Sequence, residues 1–371
     1  MRDETDRKRF IGNKIPVGGH FNGPRIFHNG CIGQTRSICS VTSDLLRSAG
    51  RRQAKNQFVE ATRWAEKQGA QVVLLAASTK RLFGRDGGKL KKLFPNLLFT
   101  IGNNGTAYLL CLEAQHALRR AKLMPNQSKI AVLGPYGILG EIVTSELVKE
   151  GYQVIGAGPN TAALSKISQK YSIETKECFE DFKQVDAVIS CTHSKKMCLS
   201  KEIVNQIRKK ERKLLVVDVS EPSNLSIEEY NRCNGTVIRQ DAGNAYSKKL
   251  HYALGPISYK MFRLSGGVTF GCFAEALSLS AALKRGENHI KNYNWFSVCE
   301  ENINRIAKLF NNDGFEIPKP RCFGKPVRSF SLACPPRTDP VSVLDLRSNL
   351  YKGDSCGQEN IFLGADRQKA V

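Results

Sequence analysis

The feature that most constrains the fold is an apolar run that ends in evenly spaced glycines and passes directly into an amphipathic helical pattern. The run covers residues 129–133, Gly134, Gly137 and Gly140 follow at intervals of three, and the helical pattern continues over 141–149. In such a strand-to-helix turn the first glycine permits the tight turn, the second lets the backbone approach a pyrophosphate, and the third lets the helix pack on its strand. Unpaired N–H groups at the helix start favour an anion. The stretch predicts a nucleotide-binding loop, with an ordinary glycine-rich turn as the alternative.

Strands and helices alternate regularly after this stretch. Short apolar strands are predicted at 153–155, 187–191, 214–218 and 235–238, with helical segments between most of them. This alternation predicts an α/β fold with a parallel, doubly wound sheet of the Rossmann type. Ligands of such sheets bind beyond the carboxyl ends of the strands, so we expect functional residues in the loops that follow the strands.

Composition and periodicity divide the remaining chain into further regions. A helix and a short buried strand before residue 125 predict a smaller α/β substrate domain, and sparse hydrophobic residues near the end predict disorder. The predicted organisation is an irregular basic N-terminal segment (1–40), the substrate domain (41–125), the NAD(P)-binding Rossmann domain (126–265), C-terminal helices (266–318) and a largely disordered tail (319–371).

Composition excludes several classes of protein. The apolar fraction of 41% is enough for a sizeable core. No stretch approaches the roughly 18 uninterrupted apolar residues of a membrane span, and the N-terminal residues lack the apolar region of a signal peptide. The 12 cysteines show no CxxC spacing, which disfavours a zinc ribbon, a redox dithiol and a disulfide framework. We expect a cytoplasmic protein with no transmembrane segment and no metal site.

The formal charge of +22 has three readings: a nucleic-acid partner, an acidic protein partner, or a generally basic, solvated surface. The basic clusters are scattered over different segments and do not form a stripe interleaved with aromatic residues. On charge alone the solvated surface is favoured.

The end of the second Rossmann strand bears on the choice of cofactor. An acidic residue there would hold the ribose hydroxyls of NAD, but the chain has Asn160 and Thr161 instead. Neither repels a phosphate and both can donate hydrogen bonds, so NADPH is expected rather than NADH. The predicted cofactor-binding residues are Gly134, Tyr136, Gly137, Ile138, Leu139, Gly140, Asn160, Thr161 and Thr192.

Three other side chains are candidates for chemistry. Cys272 follows a glycine-rich loop near a predicted helix start, where the helix dipole lowers a thiol pKa and favours the nucleophilic thiolate. Its structural alternative, a small buried residue on an apolar helix, is favoured on the residue alone. His193 follows the third Rossmann strand and Tyr246 follows the last one, so each could act as an acid, a base or a polar site residue.

Taken together, the motifs resemble those of the long-chain acyl-[acyl-carrier-protein] reductases, which form fatty aldehydes. Residues 99–108 (FTIGNNGTAY) are similar to the segment that joins the two domains of this family, and 132–140 (VLGPYGILG) to its glycine motif. Residues 270–276 (FGCFAEA) are similar to its F-A-C-F-A-E-[AS] motif. Two shorter similar segments are 294–296 and 313–315, and the likeness extends roughly over 45–318.

The resemblance implies a function. Cys272 corresponds to the family's nucleophile, which takes the acyl group from a thioester before NADPH reduces it to an aldehyde. The implied partner is an acidic acyl-carrier protein or acyl-CoA. A basic surface would steer an acidic carrier to the protein, which gives the positive charge a use.

Two departures from the family pattern keep alternatives open. The family has histidines where this chain has Gly105 and Ser247. One alternative is another Rossmann oxidoreductase, similar to shikimate dehydrogenase or glutamyl-tRNA reductase, although no Lys/Asp pair with the spacing of the former is found. The other is a non-catalytic protein that binds a nucleotide or a nucleic acid; the latter partner is not favoured.

Overall fold

Helices and strands alternate through the residues that the computed structural model describes, which are 4–12, 14–84 and 86–334. The α-helices in these residues are α1 (Glu4–Ile11), α2 (Ser48–Lys67), α3 (Gly88–Leu93), α4 (Asn103–Arg120), α5 (Ile138–Lys149), α6 (Thr161–Tyr171), α7 (Lys201–Ile207), α8 (Ile227–Arg232), α9 (Pro256–Phe262), α10 (Gly271–Lys284) and α11 (Glu300–Asp313). None of the described helices is both long and apolar enough to span a bilayer.

The strands are mostly short and fall into five sheets within the same residues. They are β1 (His20–His28), β2 (Cys31–Ile38), β3 (Val72–Leu74), β4 (Leu98–Thr100), β5 (Lys129–Leu133), β6 (Gln153–Ala157), β7 (Glu174–Lys176), β8 (Ala187–Ser190), β9 (Leu214–Asp218), β10 (Val237–Asp241), β11 (Asn244–Tyr246), β12 (His251–Tyr252), β13 (Val268–Phe270), β14 (Arg321–Cys322) and β15 (Lys325–Pro326).

The largest sheet has six parallel strands in the order β10-β9-β8-β5-β6-β7. This is the strand order of a doubly wound Rossmann domain, and the order reverses between β5 and β8. Side chains from both faces of the sheet are buried: Val132 belongs to one hydrophobic cluster and Ala131 to another. Such two-sided burial explains why the central strands read as continuous apolar runs. The predicted fold class is confirmed.

The smaller α/β part is built from distant segments. β3 pairs in parallel with β4, and α4 packs against both α10 and α11. Leu109 of α4, Leu277 of α10 and Phe310 of α11 lie in one hydrophobic cluster. Segments assigned by the sequence to a substrate domain (41–125) and to separate C-terminal helices (266–318) therefore share a core.

The prediction of an irregular segment over residues 1–40 is wrong for the two strands found there. β1 and β2 form an antiparallel hairpin, and β12 pairs with the other edge of β1. The hairpin turns at Asn29 and Gly30, whose φ angles are 48° and 73°. An Asn-Gly pair suits a turn that needs two positive φ angles, and it is a strong local hairpin signal. The third strand comes from more than half the chain away, which local patterns do not reveal.

The predicted disorder from residue 319 does not hold for the part of the tail that the structure describes. β14 and β15 form a small hairpin, and Leu332 is 5% exposed in the core of the Rossmann domain. The backbone N–H of Lys213 donates to the carbonyl of Leu332 at 2.7 Å. A few well-placed apolar residues thus anchor a segment of polar composition. The prediction for 335–371 lies outside the described residues.

Candidate functional site

The glycine loop between β5 and α5 is tightly packed. Gly134 has a φ of 79°, and a Cβ added there would lie 2.9 Å from Cβ of Thr192. A Cβ on Gly140 would overlap the carbonyl oxygen of Gly134. Both positions need glycine for these reasons, as expected where the first glycine makes the tight turn and the third lets the helix pack closely on its strand.

The start of α5 offers backbone donors to an anion. Within the described residues, no side chain caps the helix at Gly137, and α5 begins at Ile138. Ile138 is 51% exposed, whereas Leu139 packs against the core. The first N–H groups of a helix have no intrahelical acceptor, and the dipole favours negative charge there. The loop therefore fits a pyrophosphate.

The end of β6 holds three of the predicted cofactor-binding residues. Tyr136 reaches across from the glycine loop, and a Cβ on Gly158 would lie only 2.6 Å from its Oη. Burial raises the pKa of Tyr136. Asn160 Oδ1 accepts the N–H of Ala163 at 3.1 Å and so caps α6, which leaves its amide NH₂ for a ligand. Thr161, the first residue of α6, is exposed.

A basic residue that the sequence reading did not single out lies beside this loop. The N–H of Gly158 donates to the carbonyl of Lys176 at 3.1 Å, so Lys176 stands at the carboxyl end of the neighbouring strand β7. Its ammonium is 3.1 Å from the Glu174 carboxylate. Only the pairing of β7 with β6 brings Lys176 here, and β7 is too short to be predicted from its pattern.

The loop after β8 carries the next two predicted residues. Thr192 packs against Gly134, and its Oγ1 accepts the N–H of Ser194 at 3.1 Å. His193 is exposed in the same loop. Thr192 therefore borders the glycine loop, and its role in binding a cofactor stays a prediction, as does the role of His193.

Cys272 lies where two helices begin. It is the second residue of α10, and a Cβ added to Gly102, the residue before α4, would overlap Cβ of Cys272. The N–H of Gly271 donates to the carbonyl of Gly243 at 2.8 Å, just beyond β10. Cys272 is therefore held between the start of α4 and the carboxyl edge of the Rossmann sheet.

Contacts connect the glycine loop to Cys272 along that edge. Thr192 borders Gly134, and the N–H of Val219 after β9 donates to the carbonyl of Ser190 at 3.1 Å. A Cβ on Gly243 would lie 2.7 Å from Cγ2 of Val219. The loops after β5, β8, β9 and β10 thus adjoin in strand order, and the last of them touches the start of α10.

Polar groups surround the start of α4. Lys80 Nζ donates to Oδ1 of Asn103, the first residue of α4. The hydroxyl of Thr100 donates to Glu275 Oε1, and the N–H of Gly105 donates to Glu275 Oε2 at 2.6 Å. Glu275 is fully buried, and burial raises its pKa. Sequence reasoning missed Lys80, because no motif around residue 80 marks it.

The protonation of Cys272 differs from the sequence expectation. Burial raises the pKa of its thiol, while Lys80 and the backbone N–H groups of Cys272 and Phe273 oppose that effect. The backbone N–H groups at the helix start lower the pKa of the thiol, as predicted, but desolvation raises it and outweighs them. In the structure the neutral thiol is favoured, and a thiolate would need further stabilisation.

Three aromatic rings form a cluster at the start of α10. Phe270 and Phe273 meet edge to face with ring centroids 5.4 Å apart, and Phe262 packs edge to face on both. These side chains place apolar surface at the helix start that carries Cys272. Tyr246 lies further back, paired with Val268 and packed on Gly267, and no contact joins it to the thiol among the described residues.

The two positions at which the sequence resemblance would place histidines, Gly105 and Ser247, differ in their surroundings. A Cβ on Gly105 would lie 2.8 Å from the carbonyl oxygen of Gly271 and 2.9 Å from Cζ of Phe310, so no larger residue fits. Ser247 contacts a histidine from elsewhere: its Oγ is 3.1 Å from Nε2 of His28 on β1. His28 stacks on Phe315 and burial lowers its pKa.

No group of three or more His, Cys, Asp or Glu side chains within the described residues could hold a metal ion. The polar groups near the glycine loop and Cys272 include hydroxyl, amide, ammonium and thiol groups and the buried carboxyl of Glu275. This set suits the binding of phosphates and nucleophilic chemistry.

Comparison with known proteins finds a family match over most of the six-stranded sheet. Residues 115–239 match the model of the Shikimate / quinate 5-dehydrogenase family. The match starts within α4 and ends within β10, so it covers about a third of the chain and neither Lys80 nor Cys272. No curated protein matches the chain at significant similarity.

Solved structures share the fold at low identity. One subunit of dipicolinate synthase from Bacillus halodurans is 12% identical over 46% of this chain, with a TM-score of 0.33, and the chain spans only 58% of its length. The nucleotide-binding domain of glutamyl-tRNA reductase from Thermoplasma volcanium is 20% identical over 35% of this chain and 84% of that one, with a TM-score of 0.27. L-tryptophan dehydrogenase from Nostoc punctiforme is 14% identical over 76% and 77%, with a TM-score of 0.38.

These structural likenesses are too weak to carry an argument about activity. The family match and the strand order of the six-stranded sheet are independent observations on the same segment. Residues 115–239 form a Rossmann domain related to those of the Shikimate / quinate 5-dehydrogenase family.

Proposed function

We propose that this protein reduces an acyl thioester to an aldehyde, with NADPH as the reductant and Cys272 as the nucleophile. The acyl donor is an acidic acyl-carrier protein or coenzyme A. The observation that carries the proposal is the position of Cys272 in the first turn of α10, tied to the edge of the Rossmann sheet by the 2.8 Å bond from Gly271 to Gly243. A thiolate there would be a strong nucleophile on the same edge of the sheet as a loop that suits a dinucleotide.

The first step forms an acyl-enzyme. The thiol of Cys272 loses its proton to solvent, and Sγ attacks the carbonyl carbon of the thioester. The new carbon–sulfur bond replaces the bond to the carrier, whose thiolate leaves and takes up a proton. The backbone N–H groups of Cys272 and Phe273 face the sulfur and stabilise its charge.

The second step releases the aldehyde. When bound, NADPH supplies a hydride to the acyl carbon. The alkoxide on that carbon then re-forms the carbonyl group as the bond between carbon and Cys272 Sγ breaks. Cys272 is released as a thiolate, the form in which it attacked. Because the thiolate is regenerated without a proton, the scheme assigns no step to His193 or Tyr246.

The chain has residues suited to the pyrophosphate and to the 2′-phosphate of NADPH. The backbone of Gly134, Gly137 and Gly140 and the first N–H groups of α5, at Ile138 and Leu139, would hold the pyrophosphate. Tyr136 and Thr192 would border it. The Asn160 amide and the Thr161 hydroxyl would donate to the 2′-phosphate, which no carboxylate at the end of β6 would repel.

The surroundings of the thiol favour an apolar acyl group. Phe270 and Phe273 pack ring against ring at the start of α10, the helix that carries Cys272, and apolar surface of this kind would exclude water from a bound chain. The net charge of +22 would attract an acidic carrier protein.

Intact-mass spectrometry tests the proposal. The protein is incubated with acyl-carrier-protein and CoA thioesters of several chain lengths, and NADPH is then added. We expect an acyl adduct on Cys272 that NADPH clears with release of aldehyde. Cys272→Ala should abolish adduct and aldehyde while NADPH binding stays intact, and Cys198→Ala, at an exposed cysteine, should change neither. Aldehyde formation by the Cys272→Ala protein, or no adduct from any thioester, would overturn the proposal.

A second candidate is a dehydrogenase that acts on a hydroxylated acid. The Shikimate / quinate 5-dehydrogenase match over residues 115–239 favours it. The pair formed by Lys80 and Asn103 supplies polar groups at the start of α4. Its test is absorbance at the NADPH band with NADP⁺ and shikimate or quinate. Turnover there that survives Cys272→Ala would favour this candidate over the thioester reductase.

A further inference from the structure

The thiol site contains a cation that the thioester mechanism does not use. Lys80 lies in a short 3₁₀ turn (Ala77–Arg81) that follows β3, and its side chain is half-buried. Nζ donates to Oδ1 of Asn103, one residue after the Gly102 that packs on Cys272. A lysine whose ammonium is directed inward by an amide carbonyl, next to a nucleophile, is placed to act on charge at that nucleophile.

Packing and strand pairing fix the position of the turn that carries Lys80. Leu74 at the end of β3 lies against the same spot, because a Cβ on Gly102 would also come within 2.9 Å of Leu74 Cδ1. β3 is fixed by its parallel pairing with β4, and α4 starts three residues after β4. The turn that carries Lys80 and the helix start that holds it are therefore connected through the β3–β4 pair.

The charged and titratable groups facing the thiol come from three elements. Lys80 lies on the turn after β3, Glu275 lies on α10 itself, and Tyr252 comes from β12. Burial raises the pKa of Glu275 and of Tyr252, which favours their neutral forms. Of these groups, Lys80 is therefore the one that brings charge of the sign that stabilises an anion at Cys272.

We propose that Lys80, oriented by Asn103, is the electrostatic partner of Cys272 and stabilises negative charge on its sulfur and on the oxygen of the adduct formed there. The part concerning the adduct rests on the proposed thioester reduction. The part concerning the sulfur does not, because it is a property of the free protein.

The physical need for such a partner is clear from the site. Burial opposes the thiolate of Cys272, and the helix start offsets only part of that effect. An opposite charge within about 4–6 Å typically changes a pKa by one to three units. In a half-buried setting this interaction is screened less than on the surface.

Alkylation of Cys272 in the full chain tests the inference without any thioester. Neutral iodoacetamide and anionic iodoacetate are reacted over a range of pH, and modification of the Cys272 peptide is followed by mass spectrometry. We expect Lys80→Met to raise the midpoint of the iodoacetamide pH profile by about one unit. The same change should lower the rate with iodoacetate relative to iodoacetamide, because the anionic reagent loses its attraction to the site.

Matched variants separate charge from packing. Lys80→Arg keeps the positive charge and should retain most of the wild-type midpoint and rate ratio. Lys67→Met, at the exposed end of α2, removes a lysine elsewhere and should change neither. If Lys80→Met fails to fold, Asn103→Ala replaces it, with a smaller change expected in the same direction.

The outcomes are distinct from those of the proposed function. An unchanged midpoint and rate ratio in Lys80→Met, or a Lys80→Arg protein that behaves like Lys80→Met, would overturn the role of Lys80. If Lys80→Met changes the pH profile of Cys272 alkylation but the wild-type protein forms no aldehyde, the role of Lys80 is supported and only the proposed thioester reduction is contradicted.

Discussion

The nucleotide-binding loop and the thiol site differ in how the chain builds them. Gly134 and Gly140 contact each other within one strand-turn-helix unit. The thiol site joins the turn after β3, the start of α4 and the start of α10, and its bond between Thr100 and Glu275 spans 175 residues. One site is local in sequence and the other is assembled by the tertiary fold.

This difference has a physical consequence. A local turn keeps its shape as long as its own strand and helix pack, whereas an assembled site depends on the register of every element that contributes to it. Substitutions in the two sites should therefore have separate effects. Those in the glycine loop should weaken NADPH binding, and those in the thiol site should change the reactivity of Cys272.

The largest effect is expected at Gly140. Gly140→Val places side-chain atoms where the carbonyl of Gly134 already lies, so the loop must shift and the packing of α5 on its strand is strained. Overpacking of this kind typically costs about 1–3 kcal/mol. We expect at least a tenfold loss of NADPH affinity, measured by fluorescence titration, together with a lower midpoint of thermal unfolding.

Gly266→Ala is the control for that loss, because no atom lies within 4 Å of a Cβ added at Gly266. It should leave both NADPH affinity and unfolding unchanged. Wild-type NADPH affinity in Gly140→Val would show that the glycine loop is not the cofactor site.

A smaller, different effect is expected at Gly102. Its φ is 68°, which strains any residue with a side chain, and an added Cβ would overlap Cys272. Gly102→Ala should push α4 away from α10 and slow the alkylation of Cys272 several-fold. Because the glycine loop is a separate unit, NADPH affinity should stay within about twofold, inside the roughly 0.5 kcal/mol typical of independent distant sites.

Equal loss of both properties in Gly102→Ala would contradict the separation. Thermal unfolding of the same sample distinguishes a local defect from general unfolding, since a folded protein retains its cooperative transition.

The contrast between the two sites also explains what the sequence could predict. Gly134, Gly137 and Gly140 lie within one short stretch, so their spacing predicted the loop, and the alternation of strands and helices after it predicted the parallel sheet. Lys80 and Asn103 are far from Cys272 in sequence, and no local pattern links them. Cys272 itself was singled out by its place at a predicted helix start and by the resemblance to a family motif, but its pKa depends on burial, which only the fold determines.

The tails show the same limit. The Asn29-Gly30 turn was readable as a hairpin signal, yet the strands beside it contain Gly23, Pro24 and Gly33, which weaken their pattern. Pairing with β12 supplies the missing support. Leu332 likewise lies in a segment of largely polar composition, and it is buried because it packs, with Val327 and Phe330, on the core of the Rossmann domain.

A third prediction concerns stability at different pH values and the bond that links α4 to the loop after β10. Glu113 on α4 accepts the N–H of Gly243 with Oε2 and is buried, and burial raises its pKa well above the ordinary value. Folding therefore favours the protonated acid. Its contribution is complete below the unfolded pKa, about 4.3, and is lost as pH rises through the folded pKa.

Glu113→Gln removes this titration and keeps an oxygen for Gly243. The free energy of unfolding should fall less between about pH 5 and pH 8 in the variant than in the wild type, by about 1.4 kcal/mol for each unit of pKa difference removed. Urea unfolding at several pH values measures this. Glu66→Gln, at an exposed position of α2, is the control and should follow the wild type. If the free energy of unfolding of Glu113→Gln depends on pH as it does in the wild type, a group other than Glu113 is responsible for that dependence.

The smallest effect is expected at Lys176, beside the loop after β6. Its ammonium is held 3.1 Å from Glu174 and is partly exposed, so its attraction to a 2′-phosphate should be worth about 0.5–1 kcal/mol, the upper range for exposed ion pairs. Lys176→Ala should therefore weaken NADPH binding about three- to fivefold and leave NADH unchanged, because only NADPH carries that phosphate. Lys166→Ala, on the exposed face of α6, should change neither. Equal weakening of both cofactors would mean that Lys176 supports the loop as a whole, and preference for NADPH would then rest on Asn160 and Thr161 alone.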